Sequence, residues 1–198
     1  MRLCHVAFAA VLVGITMLAG CQSQPAASGS QLPVLPIGGD FQLTDDNGQP
    51  FTLTSQRGKV VLIFFGYSSC PDACPTTLSK LSTAARRLGE DRSKVKALYV
   101  SVDPGRDTPQ VLKDDLANFT LDATGLTGTK AEIDKVVQQY GAKYEIVLTP
   151  SSAAKYTISH TTSVFVLDAQ GRVRKLLPYE ASVDDVVTGI REVLADRT

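Results

Sequence analysis

The chain has 198 residues, with 20 basic and 20 acidic side chains and a formal net charge of zero. That balance, with no basic run, speaks against an electrostatic nucleic-acid partner. Its length allows one domain with a full hydrophobic core.

The N-terminus carries Arg2, an apolar run over 6–18 and then small residues ending in Leu18-Ala19-Gly20-Cys21. Thirteen apolar residues are too few to span a bilayer, so the run reads as an export signal, 1–20, that is processed rather than folded. Leu18-Ala19-Gly20-Cys21 resembles the lipobox of bacterial lipoproteins, with the cut before the cysteine, which implies lipidation of Cys21. The expectation is an exported, membrane-anchored lipoprotein facing the periplasm or cell exterior. The segment 21–39 is polar and rich in Pro, Gly and Ser without periodicity, as in a flexible tether with an r.m.s. reach on the order of 23 Å.

The remainder, 40–198, alternates strand and helix signals. "FQL" and "FTL" flank the turn-rich "TDDNGQP" and predict a hairpin. "KVVLIFFGY" is a continuous apolar run, as expected of a strand covered on both faces. "CPDAC" follows, with Pro75 in the first turn of a helix whose Leu78, Leu81, Ala85 and Leu88 recur at helical spacing up to Gly89. "VKALYVSVD" is a second buried strand, ending at Asp103. A second helix starts at Thr108 as N-cap with Pro109 behind it. "TKAEIDKVVQQYG" predicts a third helix, "SVFVLDAQGRVRKLL" a hairpin and "SVDDVVTGIREVLADR" a closing amphipathic helix. The pattern is α/β: a central mixed sheet with helices on both faces, in a thioredoxin-like fold.

In that fold Cys70 follows the carboxyl end of a strand and Cys74 lies at a helix N-terminus, where unpaired N–H groups favour thiolate over thiol. A structural disulfide fits an exported protein, but one closing so short a loop adds little stability. Removing 1–20 takes Cys4, His5 and both methionines, and lipidation takes Cys21. Cys70, Cys74 and His160 are then the soft donors that remain. An iron–sulfur cluster usually needs four cysteines, structural zinc four ligands and blue copper two histidines, whereas copper on two cysteines and a histidine is compatible with the set. The spacer of three residues, against two in thioredoxin-like motifs, lets both sulfurs face one point. His160 is placed in the loop before the last hairpin. The usual cis-proline is missing there, Thr162 standing in its place.

"CPDACP" at 70–75, "VDPGRDTP" at 102–109, "GLTGTKAEI" at 125–133 and "SHTTSVFVLD" at 159–168 cover almost the whole domain in order. Together they resemble the Sco/SenC family of copper-binding assembly proteins. The resemblance implies that Cys70, Cys74 and His160 ligate copper, as Cu(I), Cu(II) or both. It implies delivery of copper to, or reduction of the thiols of, the dinuclear copper centre in cytochrome c oxidase subunit II, with other copper chaperones as further partners. Two departures alter the surroundings of the ligands: "GYSS" before Cys70, and Ser159 before the histidine where Asp is common. Asp72 and Asp103 are the nearest acids; Asp103 can orient His160 or a partner, or simply serve the turn with Pro104. The alternative function is a thiol–disulfide oxidoreductase acting on exported proteins through Cys70 and Cys74. A peroxidase is disfavoured, because the segment lacks the Pro-x-x-x-Thr-x-x-Cys arrangement.

Overall fold

The computed structural model describes residues 31–196. Seven strands form one mixed sheet in the order β2-β1-β5-β4-β3-β8-β9, and β6 and β7 make a separate two-stranded ribbon. The elements are β1 (Gln42–Asp45), β2 (Pro50–Thr52), β3 (Val60–Gly66), α1 (Ala73–Arg87), β4 (Val95–Ser101) and α2 (Pro109–Leu116). They continue with β5 (Ala123–Thr127), α3 (Lys130–Gln139), β6 (Tyr144–Thr149), β7 (Lys155–His160), β8 (Val164–Leu167), β9 (Val173–Leu177) and α4 (Val183–Ala195).

The continuous apolar runs follow from burial on both faces of the sheet. Val60, Leu62 and Phe64 of β3 point into one core with Leu78 and Leu81 of α1, Leu112 of α2 and Val186 and Ile190 of α4. The alternate residues Val61, Ile63 and Phe65 point into the other, with Ile133, Val136 and Tyr140 from the region of α3. β4 splits the same way, Ala97 and Tyr99 against Leu98 and Val100. β3, β4 and β5 run parallel, while β8 returns antiparallel beside β3. The thioredoxin-like arrangement read from the sequence is therefore the one observed.

Local chemistry sets the element ends. Thr108 caps α2 by accepting from Val111 N, and Thr129 and Ser182 form capping boxes with Glu132 and Asp185. Gly141, at φ 65°, takes the left-handed turn after α3. β5 and the ribbon of β6 and β7 go beyond the sequence reading. β5 is short and contains Gly125, where a Cβ would lie 2.7 Å from Leu112 Cβ; the residue is small because helix α2 packs there. β6 exposes Ile146, Val147 and Leu148, so no alternation between a buried and a solvated face marks it as a strand.

Much of the described part of the expected tether lies against the domain. Leu32 N donates to Asp196 Oδ2 (2.9 Å), Leu35 N to Val173 O (2.8 Å) and Gly38 N to Gln139 O (2.8 Å). Arg174, almost fully buried, donates to the carbonyls of Leu32 and Pro33 and bridges Asp168 and Asp196. Because Leu167 pairs with Val61, this cluster sits at the amino end of β3. Among the described residues no helix is long and apolar enough to cross a membrane. The signal 1–20 and Cys21 lie outside the described residues.

Candidate metal centre

The opposite end of β3 builds the site. After Gly66 the chain turns, Cys70 N donating to Tyr67 O (3.1 Å), and α1 opens at Ala73 so that Cys74 falls in its first turn. A buried carboxylate holds this turn. Asp107, 1% exposed, accepts from Ser68 N (3.0 Å), Ser68 Oγ (2.5 Å) and Ser101 Oγ (2.6 Å), which ties the cysteine loop to the end of β4. Ser101 Oγ in turn accepts from Asp103 N (3.0 Å). Asp107 stands inside "VDPGRDTP", yet nothing in the sequence separates its role from that of a surface acid.

His160 comes from the other side. It is the last residue of β7, paired with Tyr144, rather than the loop residue expected from the sequence. Nδ1 lies 3.1 Å from the Thr161 carbonyl, which can only accept, so this bond puts a proton on Nδ1 and turns Nε2 toward the sulfurs. The ring is held edge-on by Phe64 (6.0 Å) and Tyr67 (5.8 Å). The hydroxyl of Tyr67 accepts from Ile158 N (3.1 Å), pinning the ribbon two residues before the histidine. On the outer flank, Arg106 stacks over Tyr156 at 3.8 Å, and its Nη1 donates to Tyr156 O (3.3 Å). An open depression of about 670 Å³ between the end of α3 and the base of the ribbon has Tyr144, Ser159 and His160 in its wall.

Nε2 stands 3.8 Å from Cys70 Sγ and 3.6 Å from Cys74 Sγ, and the three donor atoms lie within 4.8 Å of one another. Two ligands with bonds of about 2.0–2.3 Å to a common ion are separated by roughly 3.5–4 Å, so both nitrogen–sulfur separations suit a shared soft cation. Both cysteines are free. The Cys70 thiol is lowered to about 3, because Cys74 hydrogen-bonds to its thiolate and, against the push of burial, His160 and the backbone N–H groups of Asp72 and Cys74 do the same. The Cys74 thiol is pushed up, first because Cys70 holds its proton in that bond and then because it is 2% exposed. The reduced pair thus carries one negative charge, centred on the more accessible sulfur.

Cys70, Cys74 and His160 are brought together; the two acids near them take other roles. The exposed carboxylate of Asp72 makes no hydrogen bond or ion pair with the described residues, and it is the backbone of this residue that faces Cys70. Asp103 lies beyond β4, which ends at Ser101, and does not touch His160. Its carboxylate binds Arg106 Nε and accepts from Tyr156 Oη (2.8 Å), while its carbonyl accepts from Arg106 N and Asp107 N across the turn.

Comparison with known proteins gives a consistent picture. The family model described as SCO1/SenC matches residues 30–195. SCO2-like protein RP587 of Rickettsia prowazekii is 34% identical over 151 residues, 76% of this chain and 74% of that one. The structure of Bradyrhizobium japonicum ScoI with copper bound is 40% identical, with a TM-score of 0.72 over 79% of this chain and 99% of that one. BsSco, described as having a disulfide switch and as a member of the Sco family of cytochrome c oxidase assembly proteins, is 25% identical, with a TM-score of 0.64 over 82% and 96%.

Proposed function

Because the chain belongs to the SCO1/SenC family, we propose that it binds copper through Cys70, Cys74 and His160 and carries it as cargo to the dinuclear copper centre in cytochrome c oxidase subunit II. The observation that carries this reading is the convergence of two thiols and an imidazole within 4.8 Å at the carboxyl end of β3. In the proposed cycle Cys70 offers a thiolate at the surface, and Cys74 gives up its proton when the cargo enters. His160 supplies a neutral nitrogen that the Thr161 carbonyl keeps oriented. On release, Cys70 is the first sulfur that a client thiolate can replace, since Cys74 is buried. Cys21 serves as the lipid anchor of an exported chain in this reading, and other copper chaperones are candidate donors.

A second reading rests on the charge asymmetry of the pair. Cys70 thiolate attacks one sulfur of a client disulfide, a client thiolate leaves, and Cys74 then loses its proton and attacks Cys70 Sγ of the mixed disulfide. The second client thiolate departs, the client gains two electrons and the chain is left with a Cys70–Cys74 disulfide. The same client thiols are those that would receive copper, so this step keeps a recipient competent.

The test is copper uptake by the oxidised and reduced chain, with His160→Ala beside them. The expected results are one Cu(I) per reduced chain, essentially none on the oxidised chain, and weakened Cu(I) with a lost or altered Cu(II) spectrum in His160→Ala, since Cu(II) prefers nitrogen donors while two thiolates suffice for Cu(I). Equal uptake by both redox forms removes the cysteine pair from the site. An unchanged Cu(II) spectrum in His160→Ala removes the histidine.

A further inference from the structure

Tyr99 lies on β4, on the face of the sheet that α1 covers, and is 1% exposed. Its hydroxyl is buried and makes no hydrogen bond of ordinary geometry. An orphaned buried hydroxyl costs roughly 1–3 kcal/mol, and phenylalanine would fill the same space without that cost. The oxygen does have one neighbour of consequence. A Cβ placed on Gly66 would meet Cys74 Sγ at 2.7 Å and Tyr99 Oη at 2.9 Å, so sulfur and hydroxyl flank one point, and Gly66 leaves that point empty. The hydroxyl has no hydrogen-bond partner among the described residues, the sulfur included.

A protonated thiol is a weak acceptor and a thiolate a strong one. A cysteine binds a metal ion as its thiolate, so Cys74 becomes the stronger acceptor when it serves as a ligand. We infer that Tyr99 is a positioning residue: its hydroxyl donates to Cys74 Sγ once that sulfur becomes a metal-bound thiolate, orienting the buried ligand and lowering the energy of its lone pairs. The inference rests on the copper reading for its biological cargo, but on the sulfur and the hydroxyl for its chemistry. His160 approaches the same sulfur at 3.6 Å, and Tyr99 would add to the polar neighbours of Cys74.

The experiment compares the full chain with Tyr99→Phe, which differs by one oxygen, using copper and, separately, Co(II) as the probe. Metal-free melting should be unchanged or slightly higher in the variant, because an orphaned hydroxyl is gone. With metal, affinity should fall roughly ten- to a hundredfold, the loss of one hydrogen bond to a charged acceptor. The sulfur-to-metal absorption band should move to lower energy, since the thiolate lone pair is no longer stabilised. Unchanged bands and affinities, with copper still bound, overturn the role of Tyr99 and leave the function standing. If the wild type takes Co(II) but not copper, the functional reading fails and the cobalt band alone decides Tyr99. If it takes neither, both fall.

Discussion

Gly66→Ala is the sharpest probe of how the site is packed. Gly66 closes β3, pairs with Ser101 and does not occupy the left-handed region, so alanine meets no backbone obstacle. What it meets is side chains: the new methyl would lie 2.7 Å from Cys74 Sγ, 2.7 Å from Tyr99 Cε2 and 2.9 Å from Tyr99 Oη. Ordinary contact begins near 3.4 Å, so the sulfur and the ring must each retreat by about 0.7 Å. Overpacking of this kind costs about 1–3 kcal/mol, against roughly 0.4–1 kcal/mol gained by stiffening the unfolded chain. The net expectation is about 1–2 kcal/mol lost in urea unfolding of the metal-free chain. Copper binding should suffer more, because ligands tolerate displacements of only about 0.5 Å, and the Cu(I) affinity should drop at least roughly tenfold in a competition assay. Wild-type stability together with wild-type affinity would refute the placement of Cys74 Sγ against Gly66.

Three further outcomes are expected. Asp107→Asn keeps the shape of the side chain but removes its charge and one acceptor from Ser68 and Ser101, so metal-free stability should fall by about 1–3 kcal/mol in denaturant and the cysteine loop should exchange its amide hydrogens faster. Burial pushes the Asp168 carboxyl up, but the hydrogen bonds from Arg172 and Arg174 outweigh it and hold the carboxyl below its ordinary range. Its stabilisation is therefore complete above the ordinary Asp value of about 3.9 and is lost as the pH falls through the lower folded value, so Asp168→Asn should flatten the acid limb of a stability–pH curve and cost about 3 kcal/mol at neutral pH. Cys21→Ser should abolish labelling by palmitate and change membrane fractionation; identical behaviour to wild type would refute the lipid anchor.

The elements legible in the sequence are those whose physics is local or two-sided. The runs of β3 and β4 announce strands because both faces are buried, and Thr108 announces a helix because its hydroxyl caps an exposed amide. The cysteines and His160 are legible by residue type, since few side chains in the domain can serve a soft ion. Their supports are not. Tyr67, Phe64 and Tyr99 look like generic core, Asp107 like a loop acid, and the ribbon carrying His160 lacks the alternation of a strand; each gets its role from residues tens of positions away. Asp103 shows the converse: its expected place at the end of the strand beside β3 suggested a link to His160, and Arg106 and Tyr156 claim the carboxylate instead.

The cluster of Leu32, Arg174 and Asp196 has a consequence for reach. It fastens the incoming chain at the amino end of β3, while the thiols stand beyond the carboxyl end of the same strand. Seven extended residues cover about 23 Å, so a surface that holds this chain by its N-terminal segment would have the domain's pull point on its near side and the sulfurs a full strand length farther out. Any tension along the leash would then be borne by a buried guanidinium and two carboxylates at the base, and the geometry of the donors at the summit would not feel it. Shortening that segment would change the height of the sulfurs above such a surface and leave the distances among the donors as they are.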